Sequence, residues 1–169
     1  MNTQIYIDAI ENELEKCCSE FFYNNSQVAE AAKYSLLKAG KRIRAVLMFL
    51  TSEMCGGDWR NKLRLACGVE MIHCYSLIHD DLPCMDNDEL RRGRPTNHVV
   101  FGEDIALLAG DALITRGYEM ASINDKTEPR IALAATAMLL CEAGAVGMMG
   151  GQEIDLLSEG KKTDFQTLM

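Results

Sequence analysis

The stretch from His79 to Pro95, HDDLPCMDNDELRRGRP, gathers five acidic residues and follows them with three arginines. A solvated helix would interleave the two signs along its surface. Here the acids come first and the bases second, with Pro83 inside the acidic run. Asp80 and Asp86 are six apart, which an ideal helix would turn about 240° from one another. Proline lacks an N–H and disrupts a helix interior, so an extrusion of two residues near Leu82 and Pro83 is expected. That bulge makes Asp80 and Asp86 equivalent to positions one turn apart on one face. Two carboxylates so placed suit a hard cation such as Mg²⁺, which keeps water and phosphate oxygens in the rest of its shell. Arg91, Arg92 and Arg94 can fork onto phosphate oxygens. A solvated loop closed by Asp–Arg pairs is the plainer alternative. A calcium loop started at Asp86 fails, because Leu90 and Arg91 fall where an oxygen ligand and a glycine are needed.

Two upstream features point the same way. Gly40-Lys41-Arg42-Ile43-Arg44 is a basic cluster at a helix junction. Lys41 and Arg44 are three apart and can point together, where a helix N-terminus also favours an anion. His73 lies seven residues before Asp80, so the two share a helix face, roughly 10 Å apart. Read without Asp80, that histidine would pass for a satisfied core residue.

These residues need a scaffold, and the apolar spacing supplies helices throughout. Ile7, Ile10, Leu14, Cys17, Cys18 and Phe21 repeat at the helical period over residues 4–22. Ser26 is placed to cap a second helix that runs to Gly40, with Lys38 in its last turn. A third helix spans 43–54 and stops at Gly56-Gly57; a fourth spans 60–79; a fifth spans 103–123. Residues 124–128 form a turn, and Pro129 opens a long apolar helix. No alternating strand pattern occurs, so the predicted fold class is all-α. Ile131 to Gly151 is apolar enough to raise the question of a membrane span. Glu142 in its middle would be costly there, so it is read as a buried core helix.

Composition sets limits on partners. A chain of 169 residues can bury the core of one domain. A net charge of −8 argues against general nucleic-acid binding, which needs a basic face. Any anionic ligand must therefore be held by a local basic cluster or a metal. Seven cysteines without metal-ligand spacing read as reduced thiols, and the acidic, amphipathic start does not read as a targeting peptide. A cytoplasmic location is expected.

Taken in order, AGKRIR, EMIHCYSLIHDDLPCMDNDELRRGRPTNH, LLAGDAL and GMMGGQEIDL resemble the trans-isoprenyl diphosphate synthases, with bacterial farnesyl diphosphate synthases the nearest type. The resemblance runs from about residue 26 to the end. It implies an antiparallel helical bundle and a prenyltransferase that joins isopentenyl diphosphate head-to-tail to an allylic diphosphate. It also implies Mg²⁺ held by Asp80, Asp81 and Asp86 of the first aspartate-rich motif. Arg91 matches the arginine on the allylic diphosphate, and Asp80, Asp86 and Arg91 carry the catalytic roles. Lys41, Arg44, His73 and Arg92 match the isopentenyl diphosphate pocket. Gln152 and Asp155 match a block that faces the cleft. Tyr75 and Ser76, just before the aspartates, match positions that shape the elongation cavity, and a bulky Tyr75 resembles the farnesyl-producing pattern. Geranylgeranyl or longer products are the alternative. A homodimer is implied. Ala45 departs from the family's usual proline, which should affect the start of a helix.

The family's second aspartate-rich motif has no match here. Thr163-Asp-Phe-Gln166 is a capping box, and Phe165, Leu168 and Met169 begin an apolar face that the chain does not continue. The expectation is the N-terminal portion of a single prenyl synthase domain, inactive alone. A non-catalytic helical partner that binds Mg²⁺-diphosphate is the competing class.

Overall fold

Apolar residues at three- and four-residue spacing wind the chain into helices nearly everywhere that spacing occurs. The computed structural model describes residues 3–22, 26–37, 40–123 and 126–160. Its helices are α1 (Gln4–Phe21), α2 (Gln27–Leu36), α3 (Ile43–Met54), α4 (Leu63–Asp80), α5 (Asn97–Phe101), α6 (Glu103–Ser122), α7 (Pro129–Ala143) and α8 (Met148–Ser158). A 3₁₀ turn, Trp59–Lys62, leads into α4. The fold is all-α, as the periodicity implies. The predicted capping box at 163–166, Phe165, Leu168, Met169, Lys38, Asn124 and the side chain of Phe21 lie outside the described residues.

Helix α4 is the centre of the core. Cys67, Met71, Ile72, Cys74, Tyr75 and Ile78 are buried along it, and each large apolar side chain removed from water contributes about 1.5–3 kcal/mol. It packs along α6, and the two run antiparallel: Gly68 near the start of α4 meets Gly117 near the end of α6, while His79 meets Gly110. The approach is close enough to require glycine at residue 68, where the neighbouring atom is backbone. A Cβ on Gly68 would fall 2.5 Å from the Gly117 carbonyl oxygen, and one on Gly110 only 2.1 Å from His79 Nε2. Helix α1 buries Ile10, Leu14, Cys17 and Cys18 and packs against α4 and α3; these are the residues its period selects.

Most boundaries follow their local chemistry. Ser26 accepts a hydrogen bond from the Ala29 N–H and caps α2. Pro129 opens α7 in its first turn, and Gly56 ends α3 with a positive φ of 76°. Three expectations need correction. First, α2 stops at Leu36 instead of reaching Gly40, because Leu37 turns extended and Arg42 Nη2 donates to the Leu36 carbonyl. Second, a short hairpin, β1 (Leu90–Arg91) and β2 (Arg94–Pro95), interrupts the helices. Two residues per strand are too few to show alternation in sequence.

The third correction concerns the apolar run. By length and hydropathy, Pro129–Ser158 would suffice to cross a membrane, but the chain breaks at residues 144–147 into α7 and α8. A Cβ on Gly147 would lie 2.0 Å from the Glu142 carbonyl oxygen, so this turn admits only glycine there. The run is not a buried core helix either. Only Ala132, Thr136 and Ala143 of α7 are buried, whereas Leu133 and Met138 are each 68% exposed.

Candidate functional site

The basic cluster is built on an inward-turned arginine. Arg42 adopts a left-handed φ of 51° at the N-cap of α3, and its side chain is 3% exposed. Its Nε donates to Glu11 Oε1 (2.6 Å), its Nη1 to Glu70 Oε2 (3.2 Å) and its Nη2 to the Leu36 carbonyl (2.6 Å). Glu70, buried on α4, also accepts from the backbone N–H of Ala45 at 3.3 Å. Here the departure at Ala45 has a structural consequence, because a proline would have no N–H to give. With Arg42 anchored, the neighbouring Lys41 and Arg44 face outward.

Lys41 and Arg44 line a cavity of about 380 Å³ with His73 and Arg92. All four residues expected together are therefore together. Unlike Arg42 and Arg91, none of Lys41, Arg44 and Arg92 is ion-paired among the described residues. Three unpaired cations around one hollow are an electrostatic cost unless an anion fills it. Burial first, then the charges of Arg44, Arg92, Arg91 and Arg42, push His73 down to about 4. At neutral pH His73 is thus an uncharged imidazole, able to donate one hydrogen bond.

The aspartates stand at the C-terminal end of α4, and the extrusion expected at Pro83 is present in a modified form. The helix ends at Asp80, residues Leu82 to Met85 loop out, and the Asp86 N–H donates back to the Asp80 carbonyl at 2.9 Å. The chain does not resume a helix beyond it. Arg91 spans the cluster: Nε donates to Asp81 Oδ1 (2.7 Å) and Nη2 to Asp80 Oδ2 (3.2 Å), with Asp88 at 4.0 Å. Gln152 on α8 donates through Nε2 to Asp80 Oδ1 at 2.7 Å. Burial, then the Asp86 charge, raises the Asp80 carboxyl above its ordinary range, against the opposing pull of Arg91 and Gln152. Burial likewise raises Asp81.

The hairpin gives its arginines different partners. Arg92 and Gly93, its two central residues, both have positive φ (55° and 76°), the pattern of the tight turns that join antiparallel strands. Arg91 reaches the aspartates and Arg92 the basic cavity. Arg94 is not among the residues lining the basic cavity, and its guanidinium lies 4.3 Å over the Tyr34 ring, but it borders a smaller cavity of about 160 Å³ together with Arg91 and Arg92. The hairpin is fastened to α2 and to its own flank. Tyr34 donates to the Pro95 carbonyl, buried Asn97 donates to the Ala31 carbonyl and to Ser35 Oγ, and Thr96 donates to the Asp88 carbonyl.

A second cavity of about 620 Å³ adjoins the first, and Arg44, His73 and Leu77 line both. Asp80 and Gln152 stand at its polar side; Met85, Met148, Met149, Leu156 and Leu157 give it an apolar wall. Tyr75 and Ser76 line it as expected. Tyr75 is 5% exposed and its hydroxyl is buried without a partner, whereas the Ser76 hydroxyl donates to the His73 carbonyl. Asp155 is exposed on α8 and is not among the lining residues. Residues that the sequence reading missed are Arg42, Glu70 and the α8 wall. Charge inside the apolar run of α4 marks Glu70, and the four-residue spacing of Met148, Gln152 and Leu156 marks one face of α8.

Among the described residues no three His, Cys, Asp or Glu side chains gather as a ready-made metal cluster. The residues nonetheless fit a divalent cation held through few protein ligands. Asp80 and Asp86 are hard oxygen donors close enough to repel one another, and Mg²⁺ commonly takes one or two carboxylates and completes its shell with phosphate.

The signature described as polyprenyl synthetase matches residues 25–169. Geranylgeranyl pyrophosphate synthase 7, chloroplastic, of Arabidopsis thaliana is 52% identical over 134 residues, 79% of this chain and 39% of its own. The geranylgeranyl diphosphate synthase of Cyanophora paradoxa is 46% identical over 86% of this chain and 49% of its own. The chain thus spans two fifths to half the length of these curated relatives. Among solved structures, a geranyltransferase from Legionella pneumophila superposes with a TM-score of 0.90 at 36% identity, over 97% of this chain and 59% of that one. An FPP/GFPP synthase from Zymomonas mobilis gives 0.89 at 35% identity, over 99% and 63%. The expected cytoplasmic location is overturned by the Arabidopsis relatives, which are named chloroplastic.

Proposed function

Because the chain belongs to the polyprenyl synthetase family, we propose that it forms the N-terminal part of a single all-helical domain that joins isopentenyl diphosphate head-to-tail to an allylic diphosphate. The observation that carries this reading is the segregation of charge around two adjoining cavities. One cavity has three unpaired cations and a neutral imidazole but no free carboxylate ready to bind metal. Its neighbour shares Arg44 and His73 but adds Asp80 and an apolar wall. A diphosphate without a metal suits the first, and a diphosphate carrying a hydrocarbon tail suits the second.

In this reading Lys41, Arg44 and Arg92 bind the diphosphate of isopentenyl diphosphate, and His73 donates a hydrogen bond to it. Asp80 and Asp86, with Asp81 beside them, would hold Mg²⁺, which when bound neutralises charge on the allylic leaving group. Arg91 stands between the aspartates, where its guanidinium can stabilise the departing diphosphate. Gln152 holds Asp80 in place from α8. The allylic C–O bond breaks with its electron pair leaving on the diphosphate, the isopentenyl double bond attacks the resulting cation, and the new cation loses a proton, which the departed diphosphate can accept, to restore a double bond. Tyr75, Leu77 and the α8 side chains keep water from that cation. No side-chain nucleophile is needed.

Product length follows from the depth of the apolar cavity. Bulky Tyr75 on its wall supports farnesyl diphosphate; the geranylgeranyl names of the relatives at 46–52% identity support a C20 product as the second reading. A homodimer is part of the proposal, and size-exclusion measurement separates it from the arrangement of one relative, named the large subunit of a heterodimeric synthase. The deciding experiment supplies isopentenyl diphosphate, dimethylallyl diphosphate and Mg²⁺ and identifies products by chromatography. C15 or C20 diphosphates are expected from the full-length protein. The absence of any condensation, together with no binding of isopentenyl diphosphate at millimolar concentration, would refute the reading.

A further inference from the structure

We propose that Gly40 is a positioning residue: its missing side chain lets the Arg92 guanidinium lie over the basic loop and complete the cavity. This deepens, and rests on, the reading of that cavity as a diphosphate site. The geometry is direct. A Cβ built on Gly40 would fall 2.3 Å from Arg92 Nη1, 2.8 Å from Cζ and 3.0 Å from Nη2. The whole guanidinium thus sits flat against the backbone of residue 40, where any side chain would stand.

Arg92 reaches this place through a strained route. It occupies a positive φ of 55° in the hairpin turn, uncommon for a residue with a side chain. Nothing among the described residues pairs with its charge there, and it faces two further cations, Lys41 and Arg44, across the same cavity. Neither charge pairing nor local backbone preference explains the placement. The space left by Gly40 does. Because the clashing atoms are the far end of a flexible side chain, a methyl group at residue 40 would displace Arg92 and leave the fold in place.

Gly40 also has a positive φ, 88°, so Gly40→Ala carries backbone strain of its own. Gly56 supplies the control: its φ is 76° and nothing lies within 4 Å of its Cβ position. Gly56→Ala imposes comparable strain and displaces no cation. Two readouts on the 169-residue chain make the test. The first is the His73 titration by NMR, since Arg92 is one of the charges, with Arg44, Arg91 and Arg42, that hold this ring at about 4. Gly40→Ala should raise that value by roughly half a unit or more, and Gly56→Ala should leave it unmoved. The second is calorimetric titration with inorganic diphosphate. Gly40→Ala should weaken binding about tenfold, and should cost nothing more when Arg92 is already alanine. The proposal is overturned if Gly40→Ala moves His73 no more than Gly56→Ala does, or if it loses the same affinity with and without Arg92. If His73 moves as expected but the unaltered chain binds no diphosphate, the positioning of Arg92 stands and the functional reading fails.

Discussion

Replacing His73 with glutamine should remove a pH-dependent loss of stability between pH 6.5 and about 4. Burial and the four nearby arginines hold the folded ring at about 4, against 6.5 for an ordinary imidazole. Below pH 6.5 the unfolded chain therefore takes up a proton that the folded chain refuses until about pH 4. The stability tied to this ring is complete above pH 6.5, falls as the pH drops, and levels off once the folded ring also protonates. A shift from 6.5 to about 4 corresponds to roughly 3.5 kcal/mol at about 1.4 kcal/mol per pH unit. The ring is partly exposed, so solvent screening reduces this to about 2 kcal/mol. Asp80 and Asp81 act with the opposite sign. Their raised carboxyls protonate in the folded chain before the unfolded one, so they return stability as the pH falls into the carboxyl range. Both aspartates are present in the unaltered chain and in the variant, so the difference between the two isolates His73. Urea unfolding of the unaltered chain and of His73→Gln at pH 7.5, 6.5, 5.5 and 5.0 provides the measurement. The unaltered chain should lose about 1–2 kcal/mol more than the variant across that range. Parallel pH profiles would mean that the ring titrates near 6.5 and that the cation-rich cavity around it is not formed.

Asp80→Ala should lower kcat by about 10²-fold or more in an active preparation, because it removes a carboxylate next to the leaving group; a near-normal kcat in saturating Mg²⁺ would remove Asp80 from the metal site. Tyr75→Ala should open the wall of the 620 Å³ cavity and lengthen the products by one or more isoprene units, and an unchanged product profile by chromatography would make Tyr75 a core aromatic only. Leu133→Glu combined with Met138→Glu should reduce self-association of the 169-residue chain, since both side chains stand 68% exposed on an apolar helix. Light scattering that stays the same would show that this face does not drive association.

What was legible in the sequence divides along physical lines. Helices with a one-sided apolar period, such as α1 with Ile10, Leu14 and Cys17, were visible because burial enforces the period. Caps with a side-chain or ring mechanism, Ser26 and Pro129, were equally visible. The end of α2 was not, because the group that takes the Leu36 carbonyl is Arg42, six residues on and in a left-handed conformation. Nor was the hairpin, whose register rests on positive φ at Arg92 and on clamps from α2 to Pro95 and Asn97 that have no local signature. The break at 144–147 had its signal in the glycines, but glycine spacing serves helix contacts and tight turns alike. The Glu142 carbonyl beside Gly147 shows the turn to be the use made of it here.

At the site itself, residue type was readable and pairing was not. Three arginines within four residues looked like one phosphate-gripping group. The backbone separates them: Arg91 faces the aspartates, Arg92 turns through a positive φ to the basic cavity, and Arg94 stacks on Tyr34. The same division recurs in Lys41, Arg42 and Arg44. Arg42 is neutralised in the core by Glu11 and Glu70, and its neighbours stay unpaired at the cavity. In the upstream cluster Arg42 is committed to carboxylates and Lys41 and Arg44 are left unpaired; in the hairpin Arg91 is ion-paired but still partly exposed, and Arg92 is the unpaired neighbour. A buried guanidinium needs paired charge, because leaving it bare costs several kcal/mol. An exposed cation needs none, and its attraction for an anion is greatest where other cations crowd it. Two neighbouring basic residues in one sequence can therefore meet opposite requirements, and the carboxylates within reach decide which one the core takes: Arg42 and Arg92 share a left-handed φ, yet the first is buried against Glu11 and Glu70 and the second stays exposed.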